Sequence, residues 1–194
     1  DPDLLFLHSL YADFDTKIER FSREKDIRCP YGCGRCCEEY EPEITPLEAL
    51  YAAHWISAVK PILAVHFERL ASREHCIFYN ETDPLHCMIY PARPLLCRAF
   101  AYSGTLDKNG AAVYRSCRYM PEKRELREAD IPLMTHAGRE ISFRQGSPQP
   151  RPVSEAVAEA WLKLQLALRY SNLDADGKPS GQEEEYRPSE EMSL

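Results

Sequence analysis

Long apolar runs are missing from this chain of 194 residues. None approaches the roughly 18 or more consecutive apolar residues that a spanning helix requires. The N-terminus also lacks the basic-then-apolar order of a signal peptide. Both absences point away from a membrane and toward the reducing cytoplasm, although the chain begins at Asp1 without an initiator Met, which leaves a removed leader open. A basic stripe is missing too. The net charge is −7, and residues 171–194 carry −5 of it through seven acids set against Lys178 and Arg187. A nearly neutral body offers nothing to neutralise phosphates, so nucleic acid is a poor partner. Glycine is scarce, with 8 scattered residues. No Gly-rich phosphate loop, G-x-S-x-G or H-E-x-x-H motif is present, and nothing positive argues for an enzyme.

What is there is enough apolar material, 44% of the chain, to build a core without staples. Leu7, Leu10, Tyr11, Phe14, Ile18 and Phe21 recur at helical spacing and predict an amphipathic helix ending near Asp26. Thr45-Pro46-Leu47-Glu48 is a helix start, with Thr45 as N-cap and Glu48 closing a capping box, and the helix should run to about Val59. Ile62–Ser72 reads as a third helix with Ile62, Val65, Phe67 and Leu70 among its apolar positions. Short apolar runs at Cys76–Tyr79 and Ala111–Tyr114 follow, and Asn109-Gly110 between apolar flanks signals a hairpin.

Pro121–Asp130 suggests a brief charged helix, and Gln145–Pro152 an extended linker. Ser154 should cap a last helix whose Val157, Trp161, Leu164 and Leu168 dock on the core. The fold class is therefore mainly α with a small antiparallel β patch, an irregular metal-centred α+β domain. Its expected bounds are residues 1–172, with 173–194 as an acidic, flexible tail.

Eight cysteines dominate the chemistry. Cys29, Cys33, Cys36 and Cys37 fall within nine residues, with Pro30, Gly32 and Gly34 breaking regular structure around them; Cys76, Cys87, Cys97 and Cys117 follow singly. Four disulfides, or a mixture of disulfides and buried thiols, would be the bland explanation, but an intracellular chain with its own core has no need of them. A metal explains the crowding, because a cation or an iron–sulfur core offsets repulsion between neighbouring thiolates. Eight thiolates suit two four-sulfur sites, or one site with further cysteines beside it. Zinc favours paired C-x2-C knuckles, and only Cys33–Cys36 offers one, whereas a tight group with remote ligands leans toward iron–sulfur ligation. His75 and His86 each precede a cysteine and could substitute for a thiol, although a structural or surface role is the commoner outcome.

Cys29-x3-Cys33-x2-Cys36-Cys37, followed by Cys87-x2-Tyr90-x2-Arg93-Pro94-x2-Cys97-Arg98-x-Phe100, resembles the bacterial eight-cysteine family of zinc- or iron-chelating proteins. The resemblance spans roughly Cys29 to Cys117 and implies chelation of an iron–sulfur cluster or zinc by all eight cysteines. Flagellin lysine N-methylases look similar in the same pattern, so the alternative is an iron–sulfur-dependent protein lysine methylase or another redox enzyme acting on a protein substrate or partner. Oligomeric state is open.

Beside the cysteines, Arg93 and Arg98 could donate N–H groups to sulfur, with Pro94 fixing the turn between Tyr90 and Cys97, or could pair with Glu38, Glu39 or Glu41. Tyr90 and Phe100 read as core aromatics. The C-x3-C-x2-C spacing is also that of radical enzymes that cleave S-adenosylmethionine, but a helix precedes the loop, Arg35 stands where those enzymes place an aromatic, and the β-content falls short of a barrel.

Overall fold

A computed structural model describes residues 1–30, 33–72 and 75–171, with the backbone alone for 66 and 68–72. The acidic tail expected from residue 173, the loop residues Tyr31 and Gly32, and the side chain of Leu70 lie outside that description. The elements run α1 (Pro2–Lys25), α2 (Arg35–Glu39), β1 (Glu43–Ile44), α3 (Pro46–Val59), α4 (Leu95–Ala99), β2 (Thr105–Leu106), β3 (Ala112–Arg115), β4 (Glu125–Leu126), α5 (Met134–Gln145), β5 (Arg151–Pro152) and α6 (Val153–Ser171). Two 3-10 segments, Pro61–Ser72 and Tyr90–Ala92, complete them. The protein is mainly helical with two small antiparallel sheets, β1 with β5 and the meander β2-β3-β4.

The first helix buries Leu7, Tyr11, Phe14, Ile18 and Phe21 and stops at Asp26, which takes a left-handed conformation (φ 48°). The capping box of α3 is complete: the Glu48 N–H donates to Thr45 Oγ1, and Glu48 Oε2 accepts from the Thr45 N–H at 2.9 Å. The hairpin forms with Thr105 opposite Val113 and Leu106 opposite Ala112. Gly110 supplies its positive φ of 80°, and Asp107 Oδ1 accepts from the Asn109 and Ala111 N–H groups. These three elements stand where local patterning places them.

Several expectations are corrected. The segment Pro61–Ser72 is a 3-10 helix, whose three-residue turn puts Leu63 inside and leaves Ile62 and Val65 exposed. Pro121–Asp130 is not helical; it contributes β4, which pairs Leu126 with Tyr114, so a neighbouring strand overrides its helix-forming composition. Cys76–Tyr79 is no strand; among the described residues its β-pairing is one isolated Tyr79–Cys87 bridge. The proline linker ends in β5, paired to β1. Ser154 is not a cap, because α6 starts one residue earlier; the Ser154 N–H instead donates to Glu41 Oε1 at 2.9 Å. Val157 is buried and Trp161 packs on the core, but Leu168, three turns along α6 from Val157, is half-exposed. The cysteine loop, expected to be irregular throughout, turns into α2 at Gly34 (φ 57°), so Cys36 and Cys37 are helical.

Three apolar clusters surround the site. The α3–α6 pair encloses Ala52, Ile56, Val157 and the 76–78 segment. The α1, α4 and α5 helices meet around Leu7, Phe14, Leu95 and Ile141. Phe21, Ile27, Tyr114 and Ile131 pin the meander to the end of α1. Among the described residues no helix is long and apolar enough to cross a membrane.

Candidate metal centre

Each cysteine reaches the site from a different local device. Cys29 leads into the loop with its N–H on the Tyr102 hydroxyl oxygen at 3.1 Å, and the Cys33 N–H closes a turn on Pro30 O. Cys36 and Cys37 sit in the five-residue α2, their Sγ atoms 3.9 Å apart. The Tyr79–Cys87 bridge and the Met88 N–H on Phe78 O bring Cys76 and Cys87 onto two antiparallel arms. Cys97 lies on α4, and Cys117 follows β3, where its carbonyl accepts from the Met120 N–H.

All eight thiols line one cavity of about 270 Å³ between these elements. None is in a disulfide. Among the described residues no three His, Cys, Asp or Glu side chains converge on one point as ion ligands, so the sulfurs ring a volume. An all-sulfur ring of soft donors around a space larger than one ion suits thiolate-bound zinc or iron, or an iron–sulfur core. His86 borders the same cavity and His75 is exposed.

Electrostatics mark the thiols as a crowd. Burial, then the charges of Cys33, Cys36 and Cys117, push Cys29 up to about 12. Burial likewise raises Cys76 to about 12 and Cys87 to about 11. Cys97 rises for the same reason, with Cys76, Cys87 and Cys36 adding to it. The vicinal pair splits: a hydrogen bond from Cys37 holds the Cys36 thiol below its usual value, and the same contact raises Cys37. Without a cation Cys29, Cys76, Cys87 and Cys97 keep their protons, first because burial disfavours the thiolate and then because neighbouring thiolates repel.

The two arginines divide their work. Arg93 lies over the Tyr90 ring at 3.8 Å, its Nε is buried without a partner among the described residues, and its charge lowers Cys36, Cys87 and Cys97. Arg98 is 5% exposed and spends its donors elsewhere: Nε on Arg93 O at 2.9 Å, one terminal nitrogen on Pro91 O at 2.6 Å and the other on Asp15. Neither pairs with Glu38, Glu39 or Glu41. Arg35 takes Glu38, Arg118 takes Glu39, and Glu41 accepts from Ser154. Tyr90 borders the cavity half-buried, whereas Phe100, expected in the core, is exposed at its rim.

Sequence reasoning missed Asp15, Tyr102 and the buried Glu48, whose Oε1 accepts from the Tyr11 hydroxyl (3.1 Å) and the Leu95 N–H (2.8 Å). Asp15 and Tyr102 meet partners 83 and 73 positions away, with no local signal. Glu48 was visible only as a cap.

Comparison with known proteins agrees with this geometry. A family model, CxxCxxCC, described as "Putative zinc- or iron-chelating domain", matches residues 28–129, just over half of the chain. Its label writes two residues between the first two cysteines, where this chain has three, Pro30 to Gly32. No curated protein and no solved structure matches the chain. With the eight thiols gathered in one cavity and the family model laid across all of them, the chain belongs to the CxxCxxCC family of zinc- or iron-chelating domains.

Proposed function

We propose that this is a cytoplasmic metal-binding protein that holds iron as an iron–sulfur centre through cysteine thiolates. One observation carries the reading: Cys29, Cys33, Cys36, Cys37, Cys76, Cys87, Cys97 and Cys117 border a single cavity although they are drawn from the whole span between the end of α1 and the meander. A volume of about 270 Å³ is generous for one tetrahedral ion, whose metal–sulfur distances are about 2.3 Å, and suits a polynuclear core. Such a core would supply electron storage or a structural cross-link; the thiols would hold it. Arg93, with its unpartnered Nε, would donate to sulfur and offset the negative charge of thiolate ligation. Arg98 would act at one remove, by fixing the backbone of the Tyr90–Pro94 turn.

The test is metal and acid-labile sulfide content of protein purified without oxygen. Brown protein with iron and sulfide is expected. Colourless protein with stoichiometric zinc and no sulfide would overturn the iron reading, and protein without bound metal would overturn chelation itself. Substituting a thiol from each half, Cys29→Ser with Cys97→Ser, should abolish binding, whereas deleting 173–194, which holds no cysteine, should not.

A further inference from the structure

We infer that Tyr119, latched by Glu39, is a side-chain gate between the thiol cavity and an open cleft beside it, and that metal enters and leaves the cavity through this gate. The gate presupposes the chelating reading above and supplies the route by which the thiols are reached.

Two hollows meet at one wall. The cleft, about 680 Å³, is edged by Arg35, Glu39, Arg115 and Arg118, and it shares Cys36, Tyr40, Leu96, Phe100, Cys117 and Tyr119 with the thiol cavity. Two of the eight thiols thus stand at the boundary itself. Cys36 belongs to α2 and Leu96 to α4, with Phe100 directly after it, so helices hold those positions. Tyr119 lies in a turn, in neither helix nor strand.

Its side chain is held by a latch instead. The Tyr119 hydroxyl donates to Glu39 Oε1, and the Arg118 guanidinium pairs with Glu39 Oε2, so both carboxylate oxygens are engaged. Arg118 and Arg35 both lie within cation–π reach of the Tyr119 ring, at 4.8 and 5.9 Å. Glu39 ends α2, the helix that carries Cys36 and Cys37, and Tyr119 comes just after Cys117. The latch therefore ties together two thiol-bearing segments 80 positions apart in the chain.

The backbone beneath the gate is fixed. Lys123 Nζ donates to the carbonyls of Cys117, Arg118 and Met120, at 3.2, 2.6 and 2.6 Å. Opening is therefore a swing of the Tyr119 ring about its own side-chain bonds, and Cys117 keeps its place while it happens. The latch suits that use, because the side chains of Glu39 and Arg118 are 37% and 70% exposed, and an ion pair open to water costs little to break.

Anaerobic stopped-flow mixing of the metal-free full chain with Co²⁺, and of the cobalt-loaded chain with excess EDTA, reads entry and exit through thiolate-to-cobalt charge transfer. Tyr119→Phe and Glu39→Gln, which unlatch the ring, should speed both steps about three- to tenfold, and Tyr119→Ala, which removes it, should speed them more. Entry and exit should rise by the same factor, leaving the affinity and the number of cobalt ions bound unchanged, because a gate lies on the path and not among the ligands. Arg118→Gln tests the same latch from its other arm should Tyr119→Ala fail to fold. Unchanged rates in the latch variants, or faster exit alone with weakened affinity, overturn the gate and leave chelation intact; no cobalt bound by the unaltered chain overturns the chelating reading itself.

Discussion

Arg93 is the side chain on which the affinity of the site should depend most without itself being a ligand. Its guanidinium lies on Tyr90, and its charge opposes the rise that burial imposes on Cys87 and Cys97 and adds to the lowering of Cys36, so it favours the thiolates that a metal takes. Arg93→Met should weaken metal affinity by about 10- to 100-fold, the usual effect of removing a group behind the ligands, measured by competition with a chromophoric chelator. Among the thiols, exposure and reactivity should disagree. Cys29 is exposed yet its thiol stands at about 12, whereas half-buried Cys36 is held below the ordinary thiol range by Cys37. Since thiolate is the nucleophile, alkylation of the metal-free protein at neutral pH should label Cys36 before Cys29, as mass spectrometry of the modified peptides would show.

At the scale of elements, the site hangs on joints between helices. Glu48 caps α3, holds Tyr11 of α1 and receives the first N–H of α4, and it is buried while doing so. Glu48→Ala should lower stability by at least about 3 kcal/mol in denaturant unfolding, because three partners lose a charged acceptor together. Gly34 is the other joint. Its φ is 57°, and a Cβ there would lie 2.8 Å from His86 Cγ, so Gly34→Ala should cost about 1–2 kcal/mol and disturb the approach of α2 to the 76–87 segment.

Elements differ in how far local chemistry reveals them. The first helix, the capped α3 and the Asn109-Gly110 hairpin were legible because their signals are contained within a few turns. The fifth helix was not: it has no side-chain cap at Leu133, buries only Ala137 and Ile141, and carries Gly138 in its interior. Pro121–Asp130 looks helical by composition, yet Glu125–Leu126 within it is extended because β3 lies beside it. The eight cysteines were legible as candidate ligands from their spacing, and Tyr90 and Arg93 as their neighbours from the family pattern; the fold brings all ten to one cavity. The Asp15–Arg98 pair that fixes the turn was not legible, because only the packing of α1 brings them together.

For the whole molecule, the metal-free protein should be sensitive to alkali. Unfolded thiols titrate near about 8.5, while Cys29 and Cys76 stand at about 12 and Cys87 at about 11 in the folded state. Between those values unfolding releases protons that the folded chain retains, so stability is full below about pH 8 and falls as pH rises toward 11–12. Thermal melts of metal-free protein across pH 8 to 11 should fall more steeply than those of loaded protein, whose ligand thiols have already lost their protons. A steeper fall for the loaded form would contradict this. Removing bound metal with a competing chelator should also loosen the contact between the 29–39 and 76–97 segments, because the thiols that line the cavity there would lose the metal between them.

The ring of sulfurs is also unequal from front to back. Cys29 is exposed, and Cys76 is 7% exposed in the same buried cluster as Ile77 and Phe78. Loss of bound metal should therefore run from front to back: when a competing chelator is added to loaded protein, Cys29 should become open to alkylation before Cys76, as mass spectrometry of the modified peptides would show.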